Sequence, residues 1–330
     1  MRIEQLTFTR FLAAFAIVVF HFGRDVFPFD YAIIQPTVLS LNIGVSYFFI
    51  LSGFVITIAY SRMPHVSYLK FYLLRLVRIF PAFLISFILS VIYLSHIGEN
   101  IDTSNYILQA FLIHVWFKEY CLSINFPSWS LCVELFFYFI FPIAYNTFYK
   151  KTTLKKIAIA VVIIWVVSQC VFIFIQQSGA FSLATKKLSL YFPLLHLNQF
   201  MAGNLLALYL LHRNPEKKNN LLYTVIVAVV LMCLINLPVT QKIFHNGLIA
   251  PVFCMFIYLF SASENKLTTV FQLPFFILLG EISYGIYIYQ YPVYKISNFI
   301  YVKILNFPFA SWMFYANFLI LLIVSYLSYR

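Results

Sequence analysis

The chain has 330 residues, of which 63% are apolar and only 10% are charged, and its mean hydropathy is +0.90. Soluble domains are about 45–50% apolar and about 25% charged, so this composition excludes a soluble globular protein and predicts a polytopic membrane protein. The formal net charge is +12, but the basic residues are spread over short segments, which argues against nucleic acid as a partner.

Hydrophobic runs predict an all-α membrane helix bundle with about ten transmembrane helices. The runs lie at about residues 6–27, 41–60, 72–96, 129–149, 157–176, 190–211, 221–237, 247–262, 272–292 and 308–329. The runs 221–237 and 247–262 are short and carry the weakest signal. The longest stretch between runs, 97–128, predicts an interfacial helix or a loop packed on the outer face. We therefore expect a single domain over residues 1–330, with no attached soluble domain.

Charge placement predicts that the N- and C-termini are both cytoplasmic. With the N-terminus inside, the inner segments hold most of the cations, among them Arg62, Lys70, Arg75, Arg78, Lys150, Lys151, Lys155, Lys156, Arg213, Lys217 and Lys218. The outer segments hold scattered lysines and five acidic residues: Asp25, Asp30, Glu99, Asp102 and Glu119. This bias agrees with the positive-inside rule. The five cysteines show no metal-binding spacing, so we expect no metal site.

The first predicted span carries two ionisable residues, Arg10 and His21. Their spacing of eleven corresponds to about 1100° of helical rotation, so both side chains leave one helix face, about 16 Å apart along the axis. Ionisable groups inside a membrane are costly and usually mark a site or an ion path. A snorkelling arginine and a histidine bonded to a neighbouring helix explain these two residues equally well.

The second span contains NIGVSYFFILSGF, residues 42–54. Its glycines and serines allow neighbouring helices to approach closely, and packing is the main interpretation. Asn42 and Ser46 lie near the predicted outer end, where they are candidates for contact with a substrate.

The third span begins with three cations, Lys70, Arg75 and Arg78. A spacing of three places the two arginines on one helix face at the cytosolic surface. Guanidinium groups bind phosphate through two hydrogen bonds, so with Lys70 they could clamp a polyphosphate ligand. Taken alone, a topogenic or lipid-phosphate anchor is the stronger interpretation.

The fourth span opens with WSLCVE, residues 129–134. It runs inward, so Glu134 lies about 8 Å below the outer boundary, at a depth similar to that of His21. A carboxylate beside an imidazole can fix its tautomer and stabilise its charged form. We therefore predict that Glu134 acts on His21, the alternative being a structural bond to another helix. Trp129 and Ser130 are candidate substrate contacts.

The ninth span contains LGEISYGIYIYQYP, residues 279–292. Running outward, it places Glu281 in mid-membrane and Gln290 near the outer end, at the depth of His21. Three tyrosines at helical spacing could form a polar stripe: Tyr284, Tyr287 and Tyr291. Tyr287 and Gln290 are candidate substrate contacts.

These motifs together resemble the acyltransferase-3 family of integral membrane acyltransferases. Arg10 and His21 match that family's Arg–ten residues–His motif, and Arg75 and Arg78 match its Arg–x–x–Arg motif. YFFILSGF, WSLCVELFFY and LGEISYGIYIY match further signatures in the expected order. The resemblance covers essentially the whole chain.

The resemblance implies O-acylation, usually acetylation, of an envelope carbohydrate such as O-antigen or capsule in a bacterial inner membrane. It implies cytosolic acetyl-CoA as donor and a carbohydrate acceptor, free or lipid-linked. It implies His21 as the catalytic residue with Arg10 as its partner, and Arg75 and Arg78 as the donor-binding pair. Glu134 carries over as a functional residue. Three positions depart from the family pattern: Phe11, Ser46 and Gln290. A glutamine where many members have histidine cannot take up a proton near neutral pH.

Residues and resemblance together predict a path across the membrane. The CoA phosphates would rest on Arg75, Arg78 and Lys70, and the pantetheine arm would pass Arg10 to bring the thioester to His21. His21 would then act as a general base or as a nucleophile, and the sequence leaves both open.

Two other functions would use similar intramembrane charges. A transporter or flippase of lipid-linked oligosaccharides typically shows inverted repeats and broken helices, and the sequence shows no such symmetry. A glycan polymerase would more naturally carry a long outer catalytic loop. Dependence on acetyl-CoA separates both from acyl transfer.

Overall fold

A computed structural model describes residues 3–237 and 243–330 of the chain. The structure is 75% helical, and no strand forms in that part of the chain apart from one isolated bridge between Lys218 and Ser263. In the described residues the helices of eight or more residues are α1 Gln5–Phe22, α2 Gly44–Tyr60, α3 Tyr68–His96, α4 Thr103–Ala110, α5 Trp129–Ala144, α6 Leu154–Gln177, α7 Pro193–Arg213, α8 Leu221–Ile235, α9 Ala250–Ser261, α10 Pro274–Glu281, α11 Ser283–Phe299 and α12 Trp312–Tyr329. The prediction of an all-α fold is confirmed.

Seven helical segments of the described chain are long and apolar enough to cross a membrane. They are Gln5–Phe22, Gln35–Tyr60, Tyr68–His96, Phe126–Tyr149, Leu154–Gln177, Leu183–Arg213 and Trp312–Tyr329. Helices α8 and α9 are apolar but only 15 and 12 residues long, and they correspond to the two runs with the weakest signal. The predicted span 272–292 is divided at Ile282 into α10 and α11, and α11 continues to Phe299. The chain is thus an integral multi-pass membrane protein.

Both chain ends lie at one end of the bundle. Ile3 and Tyr329 line the same cavity, and the Tyr329 hydroxyl donates a 2.6 Å hydrogen bond to Glu281. We call this the terminal end and the opposite end the His21 end. Glu281 lies at the terminal end through its bond with Tyr329, and the ninth span extends seven residues past 292; the mid-membrane position of Glu281 stays a prediction.

Helices α2 and α7 are in backbone contact through two glycines. A Cβ atom built on Gly53 would lie 2.1 Å from the Phe200 carbonyl oxygen, and one on Gly203 would lie 1.9 Å from the Ile50 carbonyl oxygen. Neither position can accept a side chain without separating the helices, which is the small-residue packing that the second span predicted.

Leucine at Gly203 is expected to lower the free energy of unfolding by more than about 2 kcal/mol, because backbone atoms cannot move aside as flexible side chains do. The matched control is Gly179→Ala, since nothing lies within 4 Å of a Cβ at that position. Thermal unfolding of both variants in detergent measures the difference. Equal melting temperatures for the two variants would show that the close contact is not required.

The predicted interfacial segment 97–128 contains α4, which is hydrogen-bonded to the turn that precedes α5. The Gln109 side chain donates to the Asn125 carbonyl at 3.1 Å and to the Ser128 hydroxyl at 2.7 Å. The Asn125 side chain in turn donates to Ser86 of α3 at 2.8 Å and to the Ile288 carbonyl of α11 at 3.3 Å. The turn Phe126–Ser128 is therefore held against three helices.

Residues 245–247, which comprise the end of the 3-10 helix Ile243–Asn246 and the following turn residue, are buried among α2, α6 and α7. Their carbonyls accept hydrogen bonds from side chains of these helices: Ser46 and Gln199 donate to residue 245, Gln169 and Asn198 to residue 246, and Trp165 to residue 247. Backbone that leaves α-helical geometry is tolerated inside a membrane bundle where the protein satisfies its polar groups in this way.

Candidate active site

Helix α1 carries Arg10 and His21 on one face that points into the bundle. The helix is continuous from Gln5 to Phe22, so the spacing of eleven keeps both side chains on that face, about 16 Å apart. The positions between them on this face are small or branched apolar residues, and all are buried: Ala13, Ala14, Ile17 and Val18.

The His21 imidazole is held by Gln290 of α11. His21 Nδ1 lies 2.7 Å from Gln290 Oε1, while Gln290 Nε2 donates to the Tyr287 carbonyl at 2.7 Å. Because the amide oxygen can only accept, this orientation assigns the proton to Nδ1 of His21. Nε2 is then unprotonated and has no hydrogen-bond partner in the described residues. The Phe126 ring packs edge-on against the imidazole, with 4.6 Å between centroids.

A second group of polar residues lines a cavity nearer the terminal end. This arginine cavity is lined by Arg10 of α1, Arg75 and Arg78 of α3, Glu134 of α5 and Tyr284 of α11, among others. Within the described part of the chain, none of the three guanidinium groups donates a hydrogen bond. With one carboxylate against three guanidiniums, the cavity carries an excess of two positive charges.

The Glu134 carboxylate is bonded to neutral hydroxyls. It accepts hydrogen bonds from Ser52 Oγ at 3.0 Å and from the Tyr138 hydroxyl at 2.5 Å. Tyr138 also contributes one of three aromatic rings around Arg75, whose guanidinium carbon lies 5.3 to 5.8 Å from the ring centroids of Phe71, Tyr138 and Tyr60. These rings attract the guanidinium through cation–π interactions and accept none of its hydrogen bonds, and its Nε is buried without a partner among the described residues.

The prediction that Glu134 acts directly on His21 is wrong. Phe126 is the residue of this segment that contacts His21, and Glu134 follows it by eight positions. Eight helical residues correspond to about 12 Å, which places the carboxylate near the depth of Arg10. Glu134 therefore belongs to the arginine cavity, and Gln290 takes the position beside His21 that was predicted for Glu134.

Lys70 is not brought to the arginine cavity. It is exposed on α3 and lines neither this cavity nor its neighbour, whereas Arg78 lines both. Five residues separate Lys70 from Arg75, so their side chains leave the helix about 140° apart. The third cation that lines the cavity with Arg75 and Arg78 is therefore Arg10, not Lys70.

The other predicted contact residues divide into three places. Ser130 and Tyr287 line the arginine cavity, and Gln290 holds His21. Trp129 and Asn42 join a separate buried cluster of rings and imidazoles. The Trp129 ring centroid lies 5.4 Å from His196 and 5.3 Å from His245, and Asn42 Nδ2 lies 3.5 Å from His245 Nδ1.

Sequence reasoning missed Ser52, Tyr138 and the two histidines of this cluster. Tyr138 follows Glu134 by four positions, a spacing at which side chains on a helix meet. His196 lies inside a predicted span, where an ionisable residue is itself a signal. Ser52 was assigned to packing alone.

The arginine cavity borders a larger cavity at the terminal end. This terminal cavity has a volume of about 670 Å³ and shares Arg10, Leu51, Val55, Arg78 and Tyr284 with the first. Ligand pockets typically measure about 300–1,000 Å³, so the space suits an extended organic ligand. His21 lines neither cavity.

A family model described as an acyltransferase domain matches residues 3–330. The chain is 31% identical over 157 residues to acyltransferase MdmB of Streptomyces mycarofaciens, covering 44% of this chain and 40% of that protein. It is 29% identical over 178 residues to an uncharacterized protein of Haemophilus influenzae, covering 49% of this chain and 73% of the other. The chain thus spans about two fifths of the length of MdmB. No solved structure matches the chain significantly.

Proposed function

Because the chain belongs to the acyltransferase-3 family and is a membrane acyltransferase, we propose that it moves an acetyl group from cytosolic acetyl-CoA to a hydroxyl of an envelope polysaccharide such as O-antigen or capsule. The acceptor sugar would be free or lipid-linked, and the whole chain would act as one domain. In this proposal the terminal end faces the cytoplasm of a bacterium and the His21 end faces the outer side of its inner membrane, in agreement with the charge bias of the loops.

The observation that carries the proposal is the arginine cavity. Three guanidiniums that donate no hydrogen bond to a described residue, with an excess of two positive charges, form a receptor for a polyanion. CoA supplies a diphosphate and a further phosphate, and Arg75 and Arg78 present the forked donors that bind phosphate oxygens. The terminal cavity shares Arg10 and Arg78 with the arginine cavity, and acetyl-CoA would approach through it from the end that would face the cytoplasm.

The chemistry would occur at His21. With Nδ1 donating to Gln290, the free Nε2 can remove the proton of the acceptor hydroxyl while its oxygen attacks the thioester carbonyl. The C–S bond then breaks, the new C–O bond completes the ester, and the proton passes to the sulfur of the departing CoA. Alternatively, Nε2 attacks the thioester and releases CoA, and the acceptor hydroxyl then takes the acyl group from the acyl-imidazole. The products are the same ester and free CoA. Arg10 would hold the donor between the phosphates and the thioester.

Leucine at Gln290 is expected to lower kcat about 10- to 100-fold and to leave KM for acetyl-CoA unchanged. The reason is that the imidazole loses the amide oxygen of Gln290 that fixes its tautomer, while the proposed acetyl-CoA site in the arginine cavity is unchanged. Histidine at this position keeps a ring nitrogen able to accept from Nδ1 and should retain more activity than leucine. Steady-state kinetics on matched amounts of protein distinguishes the two, and a Gln290→Leu enzyme with unchanged kcat would contradict this role.

The proposed function is tested by mass spectrometry of surface polysaccharide from cells with and without the gene, followed by transfer from labelled acetyl-CoA in isolated membranes. An acetyl mass on the glycan that requires the gene, together with label transfer, supports the proposal. Unchanged glycan mass with altered glycan amount or length would point to transport or polymerisation instead. A different acyl mass would keep acyl transfer and replace acetyl-CoA as the donor.

A further inference from the structure

The path between the arginine cavity and His21 is closed. The α1 residues that form the face between Arg10 and His21 are at most 8% exposed, so other helices pack against this face. The arginine cavity reaches Ser130 and Tyr287 but stops short of Gln290, which lies one helical turn beyond Tyr287 on α11. A donor whose phosphates rest on the arginines therefore cannot present its thioester to His21 until a side chain moves.

Tyr287 is the large side chain at that boundary. Its ring lines the arginine cavity and packs edge-on against Phe48 of α2, with 6.0 Å between centroids. Its hydroxyl donates to the Pro127 carbonyl at 3.0 Å. Pro127 directly follows Phe126, whose ring contacts His21. The Tyr287 hydroxyl is therefore bonded to the residue next to the one that packs on the imidazole.

The contacts of Tyr287 suit a side chain that opens and closes. Its hydroxyl bonds only neutral groups, the Pro127 carbonyl and the Ser130 hydroxyl, and such bonds make a modest net contribution compared with charged ones. The Pro127 carbonyl also accepts from Ser130 Oγ at 3.3 Å, so it keeps a partner when the Tyr287 hydroxyl leaves. The Tyr287 backbone carbonyl holds the Gln290 amide, so the ring can rotate while the residue that orients His21 stays fixed.

We propose that Tyr287 is the gate between the arginine cavity and His21, and that its ring limits the size of the acyl group that reaches the histidine. The proposal rests on the proposed function, because it takes an acyl-CoA bound in the arginine cavity as its starting point. Swinging of the ring away from Pro127 admits the thioester. A short acyl group fits beside the displaced ring, and a longer one meets it, so the enzyme prefers acetyl over longer acyl groups.

The test compares acetyl-, butyryl- and hexanoyl-CoA as donors, with kcat/KM measured for the full-length protein in membranes. Tyr287→Ala is expected to raise the ratio of hexanoyl to acetyl transfer by about tenfold or more over wild type, the scale on which a pocket discriminates added methylenes. Tyr287→Phe keeps the ring and should keep the wild-type ratio. Tyr287→Leu, which retains an apolar side chain, serves if the alanine variant does not accumulate.

The matched control is Tyr289→Ala. Tyr289 is a fully buried tyrosine of the same helix, but its hydroxyl bonds Ser328 of α12, away from the boundary. The Tyr289→Ala variant should have the same ratio of hexanoyl to acetyl transfer as wild type. The gate is overturned if Tyr287→Ala keeps the wild-type ratio, if Tyr289→Ala shifts it equally, or if the folded Tyr287→Ala protein transfers no acyl group. Failure of the wild-type protein to use any acyl-CoA would instead overturn the proposed function.

Discussion

Replacing His21 by alanine is expected to lower acyl transfer by about 10²- to 10⁴-fold, the usual contribution of a positioned acid or base, and to leave the protein in the membrane. The imidazole has a ring nitrogen with no hydrogen-bond partner among the described residues, and its orientation is set by Gln290. Alanine removes that nitrogen together with the ring that packs on Phe126. The rate of acetyl-CoA-dependent transfer, divided by the amount of protein, measures the loss.

Two further variants separate chemistry from packing at this position. His21→Gln keeps a polar side chain that can bond Gln290 but cannot accept a proton near neutral pH, so it should be as inactive as alanine. His65→Ala is the control, because His65 is an exposed histidine of the loop between α2 and α3. Acetyl transfer by His21→Ala at the wild-type rate and protein level would exclude both catalytic roles.

Alanine at Arg75 or Arg78 is expected to raise KM for acetyl-CoA about 10- to 100-fold per arginine, as the loss of a charge-assisted hydrogen bond to phosphate predicts. Both guanidiniums line the arginine cavity, and no described residue accepts a hydrogen bond from them. The Nε atom of Arg75 is buried without any partner in the described chain, which leaves it available to a ligand. The turnover rate at saturating donor should fall less than kcat/KM.

The assignment to phosphate is tested by shortening the donor. S-acetyl-pantetheine carries the thioester but no phosphate, so wild type and both arginine variants should use it with similar, low efficiency. Lys70→Ala is the matched control, since Lys70 is a cation of the same helix that lies outside the cavity. A variant that loses as much activity with acetyl-pantetheine as with acetyl-CoA would assign its arginine to the fold rather than to the donor.

The hydroxyls around Glu134 explain how three guanidiniums coexist with a carboxylate and remain available. Ser52 and Tyr138 satisfy the carboxylate, so it contributes negative charge to the cavity without forming a hydrogen-bonded pair with an arginine. An unpaired cluster of cations inside a membrane is costly. We infer that Glu134 offsets part of that cost and that the donor phosphates would offset the rest.

The sequence by itself determined the features that depend on one helix at a time. Length and hydropathy located the helices, because a segment that crosses lipid must be long, apolar and internally hydrogen-bonded. Helical periodicity placed Arg10 and His21 on one face of α1, and Arg75 and Arg78 together at one cavity. Within a single helix the rise and rotation per residue are constant, so spacing converts directly into geometry.

Only the tertiary structure decided which helices face one another and at what depth. Glu134 and His21 were expected at one level, but the turn Phe126–Ser128 places Phe126 there and Glu134 about 12 Å deeper. Gln290, which lacks the basicity expected of the family's histidine, became the partner of His21. The physical reason is that the offset between two helices is set by turns, glycine contacts and side-chain bonds from distant parts of the chain, and residue spacing within one helix carries no record of it.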